Sequence, residues 1–126
     1  MAQQTITANT RDTLKQAHVA HYALGLQLRA AAYDENRAIS VRHVRDRSKT
    51  PLAQLLMALC AQGRNTPKMR EVDMLHAEFH DAAGAVATLI NAGLFDEAID
   101  ELATGYFAEA ASDLSRALCY FGVEIA

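Results

Sequence analysis

Apolar side chains, with one histidine among them, recur at alternating steps of three and four residues from Met69 to Ile90. This spacing is typical of an α-helix with one apolar face. The composition agrees, because 51% of the 126 residues are hydrophobic and only two prolines and six glycines interrupt the chain. The sequence therefore predicts an all-α protein that forms a single domain over residues 1–126.

The first half of the chain contains two predicted helices and a long connection. The first helix is expected to begin after N-cap oxygens at Asn9 and Thr10 and to end near Asp34. Residues 36–50 show no sustained period, so they are interpreted as a connection with about one turn of helix. The second helix is short: it follows a Thr-Pro pair at residues 50–51 and is terminated by Gly63.

The second half contains two more predicted helices. A second Thr-Pro pair, at residues 66–67, starts the third helix, which residues 91–93 close. The fourth helix has an acidic first turn at residues 96–97 and an apolar face from Ala103 to Phe121, and Gly122 is its expected end. Four helices with one apolar stripe each predict an antiparallel four-helix bundle with a short second helix.

Charge and hydropathy exclude several classes of protein. The net charge is −3, and the longest weakly polar run, residues 82–95, is shorter than a membrane span. The first ten residues lack the apolar core of a signal peptide, so a cytoplasmic location is expected. Basic residues are concentrated between Arg37 and Lys49; this segment is interpreted as a solvated loop in preference to a contact for nucleic acid or an acidic partner.

Two histidines provide the strongest chemical signal. His76 and His80 are four residues apart on the third helix, so their side chains project from one face and can bind one metal ion. His76 also lies within the apolar stripe, where an imidazole needs a partner. His21 lies in the stripe of the first helix by the same count, although His18 beside it is an alternative. Asp73, one turn before His76, is either a hydrogen-bond acceptor for a ligand imidazole or a solvated carboxylate.

Cys60 adds a soft ligand at the end of the second helix's leucine face, while Cys119 is interpreted as a packing residue. Three imidazoles and one thiolate make a closed tetrahedral set, which is typical of structural or sensory zinc. No Ser-His-Asp order, phosphate loop or nucleotide fingerprint is found, so an enzyme is not expected.

Three short segments resemble the chemoreceptor zinc-binding domain, a four-helix module of bacterial chemoreceptors and of a zinc-regulated diguanylate cyclase. They are Ala20-His21-Tyr22, Cys60-Ala-Gln-Gly63 and His76-Ala-Glu-Phe-His80. The resemblance implies that His21, Cys60, His76 and His80 bind Zn²⁺. It also implies a homodimer that regulates a cyclase or chemoreceptor, in cis or in trans, in response to zinc or to oxidation of Cys60.

Two other functions are compatible with the sequence. A metal-free helical adaptor would use the histidines as hydrogen-bonded core residues. A di-iron bundle of the hemerythrin kind needs several inward carboxylates, but no ExxH pair occurs and Glu78 lies on the opposite side from His76 and His80. The adaptor is therefore the second hypothesis and the di-iron bundle the third.

Overall fold

The computed structural model describes residues 2–34 and 38–125, which form six helices and no strand. The prediction of an all-α protein is confirmed. None of the described helices combines the length and the apolar character needed to cross a membrane. The helices are α1 (Ala2–Tyr33), α2 (Val41–Arg45), α3 (Pro51–Ala61), α4 (Pro67–Asn91), α5 (Phe95–Thr104) and α6 (Tyr106–Ile125).

Both Thr-Pro pairs start a helix, as predicted. The Thr50 hydroxyl accepts a hydrogen bond from the backbone N–H of Ala53 at 3.2 Å, and the Thr66 hydroxyl accepts one from Met69 at 3.1 Å. The proline that follows each threonine has no N–H to leave unpaired in the first turn. The starts of α3 and α4 are thus determined by local chemistry.

The predicted ends of these two helices are also confirmed. Gly63 and Gly93 adopt φ of 73° and 79°, a left-handed conformation that glycine adopts without steric cost. The next residue in each case donates its backbone N–H to a carbonyl five residues earlier, Arg64 to Leu59 and Leu94 to Leu89, both at 2.9 Å. This is the Schellman pattern, which pairs carbonyls that the helix end leaves free.

The start of α1 differs from prediction, whereas the long connection agrees with it. Helix α1 begins at Ala2 and not after Thr10, because no glycine or proline interrupts the first turns. The connection contains α2, which matches the expected single turn of helix. Residues 35–37, including the basic residue Arg37, lie outside the described part of the chain.

The predicted fourth helix is two helices. Gly105 is extended, with φ of −90° and ψ of −157°, and separates α5 from α6. The Glu101 carboxylate accepts a hydrogen bond from the backbone N–H of Tyr106 at 3.0 Å and so caps the start of α6. The predicted stop at Gly122 was wrong, since α6 continues to Ile125.

Helix α4 lies at the centre of the packing. It contacts all five other described helices and packs most extensively against α6. One apolar core surrounds it, and its most completely buried large side chains come from four helices: Leu28, Leu52, Val72, Phe79, Leu114 and Phe121. A side chain on the inner face of α4 is therefore surrounded by several other elements.

Candidate metal site

Three of the four predicted ligands meet in the core. His21 of α1 and His76 and His80 of α4 each offer one ring nitrogen, and these three nitrogens lie within 4.8 Å of one another. The ring centroids of His21 and His76 are 5.0 Å apart, and those of His76 and His80 are 4.8 Å apart. The HxxxH spacing on α4 therefore does place both imidazoles beside His21.

His76 and His80 are buried and His21 is half-buried, yet most of their ring nitrogens have no hydrogen-bond partner within the described residues. His76 is fully buried and His80 is 5% exposed. Within the described part of the chain no partner is found for His21 Nε2, for His80 Nε2, or for either ring nitrogen of His76. Buried polar atoms are nearly always paired, because an unpaired one costs about 1–3 kcal/mol. Four such atoms lie close enough together that the cluster could bind a ligand.

His80 is oriented by a backbone carbonyl. Its Nδ1 lies 2.8 Å from the carbonyl oxygen of Val44. Because a carbonyl can only accept, Nδ1 carries the proton, and the lone pair is left on Nε2, which is buried and has no partner among the described residues. An imidazole that binds a metal commonly donates a hydrogen bond from its second ring nitrogen in this way, and the contact fixes both the tautomer and the ring orientation.

Helix α2 and the two residues before it hold this carbonyl in place. Val44 is buried, and the Ser40 hydroxyl caps α2 by accepting from the backbone N–H of His43 at 3.2 Å. The Asn91 side chain accepts from the backbone N–H of Ile39 at 3.1 Å and donates to its carbonyl at 2.6 Å. Two hydrogen bonds thus attach Ile39, just before α2, to Asn91 at the C-terminal end of α4.

Burial keeps all three imidazoles uncharged at neutral pH. Burial, followed by the charge of His80, lowers the pKa of His21 from 6.5 to about 4. Burial and then His21 lower the pKa of His76 to about 3. The pKa of His80 is also lowered by burial, although its hydrogen bond to Val44 opposes the shift. Neutral imidazole is the form that binds a metal ion.

An aromatic ring forms one wall of the site. The Phe79 ring centroid lies 4.8 Å from that of His21 and 5.3 Å from that of His80. Phe79 is itself buried and contacts Phe107 of α6 with a centroid distance of 5.3 Å. The cluster is therefore in an apolar environment, which strengthens electrostatic interactions within it.

Cys60, the fourth predicted ligand, lies apart from the histidines. Its side chain is exposed, and it lines a surface groove together with Arg47 and Asp73. The prediction that it faces the interior was wrong, because the buried stripe of α3 consists of Leu52, Leu56 and Leu59. Cys60 follows Leu59 directly, and consecutive residues on a helix point about 100° apart.

The two other residues considered near the site are also placed by the structure. His18 is partly buried and is not a member of the three-histidine group, so His21 is the histidine that α1 contributes. Asp73 is exposed, and its carboxylate lies 3.9 Å from the Arg47 guanidinium. Asp73 is thus a surface carboxylate in an ion pair. Cys119, expected to be a packing residue, is exposed.

The three histidines fit a metal ion. Nitrogens bound to one tetrahedral ion at 2.0–2.1 Å lie about 3.3 Å apart, so the observed spread requires a contraction of roughly 1.5 Å at most.

Sequence reasoning missed the role of Val44. The available signals were the Ser40 N-cap and the apolar pair Val41 and Val44, three residues apart in an otherwise basic segment.

No family model matches the chain, and comparisons with curated proteins and with solved structures likewise find no match. The site is therefore interpreted from its own chemistry.

Proposed function

We propose that this protein is a zinc-binding regulatory domain in which His21, His76 and His80 hold the ion. The observation that carries the proposal is the convergence of three neutral imidazoles, two buried and one half-buried, each with at least one ring nitrogen that has no hydrogen-bond partner in the described chain. Imidazole nitrogen is a preferred zinc ligand, and an ion at this point joins α1 to α4. Ion occupancy then controls how firmly the two helices are held together.

The ligand set favours zinc over a di-iron centre. A di-iron bundle needs several carboxylates among its ligands, and the described group consists of histidines alone. Glu78 is on α4 but is not a member of that group. The observations therefore support a single ion with nitrogen ligands.

Cys60 completes the set in this proposal through a movement of the last turn of α3. That turn lies at the C-terminal end of the helix, since α3 ends at Ala61 and is followed by Gln62 and Gly63. Terminal turns open at a lower free-energy cost than helix interiors. A thiolate that joins the site gives it a second input, because oxidation of the sulfur removes a ligand and its charge.

The wider role follows from the resemblance to the chemoreceptor zinc-binding domain. In this reading α1, α3, α4 and the broken pair α5 and α6 correspond to an antiparallel four-helix bundle. The protein acts as a cytoplasmic homodimer that passes the state of the ion to a cyclase or chemoreceptor. The fixed orientation of His80 and the absence of carboxylates from the ligand group are consistent with a structural or sensory ion.

The test is elemental analysis of protein purified without a nickel column, with four variants measured alongside. We expect about one zinc per chain in the parent protein and in the controls His43→Ala and Cys119→Ala, whose parent residues are both exposed. His76→Ala is expected to lose the ion. Cys60→Ala is expected to bind it more weakly, and cobalt substitution reports the thiolate directly through its charge-transfer absorption.

Each outcome has a defined reading. A parent protein that takes up no zinc from a buffered solution, and whose folding does not respond to a chelator, refutes the proposal and leaves the metal-free adaptor. Zinc uptake that Cys60→Ala leaves unchanged refutes only the thiolate, and the site is then a three-histidine site with an open fourth position.

A further inference from the structure

A cavity of about 230 Å³ lies between α1 and α6, next to the histidine cluster. Its inner wall is apolar, and its mouth is flanked by Tyr22 and Leu26, which are 71% and 47% exposed. The apolar wall is formed by side chains from α4, α5 and α6: Phe79, Leu102, Phe107, Leu114 and Leu118. The cavity is therefore open to solvent on the α1 side.

The volume defines the size of a ligand. A dry apolar cavity of about 150 Å³ is large enough to bind benzene. The present cavity is large enough for a six-membered ring with a few additional atoms. Phe79 and Phe107 provide two tilted rings, 5.3 Å apart, against which an aromatic ring can pack.

The charge of the lining defines the polarity of a ligand. Arg29 lies at the cavity and is exposed, and it forms no ion pair with another described residue. No carboxylate is present among the described lining residues, whose polar members are otherwise His18, His21, Tyr22 and Ser115. The rim thus carries a positive charge that attracts an anion, while the inner wall is apolar. A planar guanidinium matches the geometry of a carboxylate.

We infer that this cavity binds a small aromatic monocarboxylate, with its ring against Phe79 and Phe107 and its carboxylate on Arg29. His21 lies two turns before Arg29 on α1, about 12 Å along the helix axis, and lines both this cavity and the histidine cluster. A ligand here packs against the other side of a histidine that, in the proposed function, holds the ion. Ligand and ion then alter each other's affinity by the same factor.

The test uses three probes of equal ring size: benzoate, benzyl alcohol and benzylammonium. Binding is followed by the amide shift of Gly25, which lines the cavity, and by saturation transfer to the probe. For ligands this small we expect a Kd for benzoate on the order of 1 mM. Benzyl alcohol is expected to bind more weakly, and benzylammonium more weakly still.

Two kinds of variant assign the binding to this cavity. Arg29→Gln is expected to weaken benzoate about three- to fivefold, the range of an exposed ion pair, while benzyl alcohol changes less than twofold. Arg11→Gln, on the same helix but outside the cavity, is the matched control. Ala111→Leu fills the cavity and is expected to abolish binding of all three probes. Ser115→Leu narrows it from another lining position if Ala111→Leu does not fold.

The inference is overturned if no probe binds, if benzyl alcohol binds as well as benzoate, or if Arg11→Gln acts like Arg29→Gln. The titrations are repeated on His76→Ala, which separates this inference from the proposed function. If benzoate binds while neither the parent protein nor His76→Ala takes up zinc, the ligand-binding role of the cavity is supported and the ion site is refuted. Zinc uptake without benzoate binding does the reverse.

Discussion

Replacing His76 with leucine is expected to stabilise the metal-free protein while removing its response to zinc. His76 is fully buried and has two ring nitrogens without a hydrogen-bond partner in the described chain. An unsatisfied buried polar group costs about 1–3 kcal/mol, and leucine has a similar volume with no polar atom. We therefore expect His76→Leu to raise the free energy of unfolding by about 1–3 kcal/mol in the presence of a chelator.

Zinc is expected to reverse this order of stability. An ion that binds only the folded state adds about 4 kcal/mol to the parent protein when its free concentration is about a thousand times Kd. The variant lacks a ligand and gains little. Stability is measured by urea denaturation at neutral pH, followed by circular dichroism, with and without buffered zinc.

The control for this experiment is His43→Leu. His43 is exposed on α2, so its replacement is expected to change stability by less than about 0.5 kcal/mol in either condition. If metal-free His76→Leu is less stable than the parent by more than about 1 kcal/mol, His76 makes a favourable polar interaction without the ion, and the reasoning from its unpaired nitrogens is wrong.

Three further predictions concern pH, the segment that carries Val44 and a helix end. First, unfolded histidines take up protons below pH 6.5 whereas folded His21 and His76, with pKa values of about 4 and 3, do not, so stability present at pH 7.5 falls on acidification. Each contributes a loss of about 2 kcal/mol by pH 5 in metal-free protein, and urea titrations that show no loss above pH 5 contradict this. Second, Asn91→Ala removes both hydrogen bonds to Ile39 and is expected to make the free energy of zinc binding less favourable by about 1 kcal/mol, which weakens binding several-fold. Competition with a chromophoric chelator measures the zinc affinity. An unchanged affinity means that this attachment does not orient His80. Third, Gly63→Ala places a side chain at φ of 73° and is expected to lower the free energy of unfolding by about 1 kcal/mol, and with it the melting temperature. An unchanged melting temperature contradicts this and shows that the turn relaxes to accommodate alanine.

The sequence was sufficient where structure is determined locally. The Thr-Pro pairs and the positive-φ glycines act within a few residues, so the limits of α3 and α4 follow from the chain alone. The break at Gly105 was missed because the predicted apolar face runs across it, from Ala103 to Phe107 at a step of four residues. The extended backbone of Gly105 and the capping contact from Glu101 mark the interruption in the structure.

The same distinction applies to the site. The two histidines of α4 are one turn apart, so periodicity alone places them on one face, and His21 lies in the apolar stripe of the first helix by the same count. Cys60 was misplaced because a position one residue from the stripe lies outside it. The contact between His80 and Val44 joins residues 36 positions apart, and no local pattern specifies such a pair.

The small size of α2 has a kinetic consequence. A five-residue helix is far too short to be stable alone, so α2 persists only through its cap, the burial of Val44 and the attachment to Asn91. Segments of this kind open locally long before the whole protein unfolds, and their amide hydrogens exchange early. His80 loses its orienting partner during each such opening. For the proposed ion site, we expect the residence time of the ion to depend on how often residues 39–48 open, so that a substitution there changes the dissociation rate without changing any ligand.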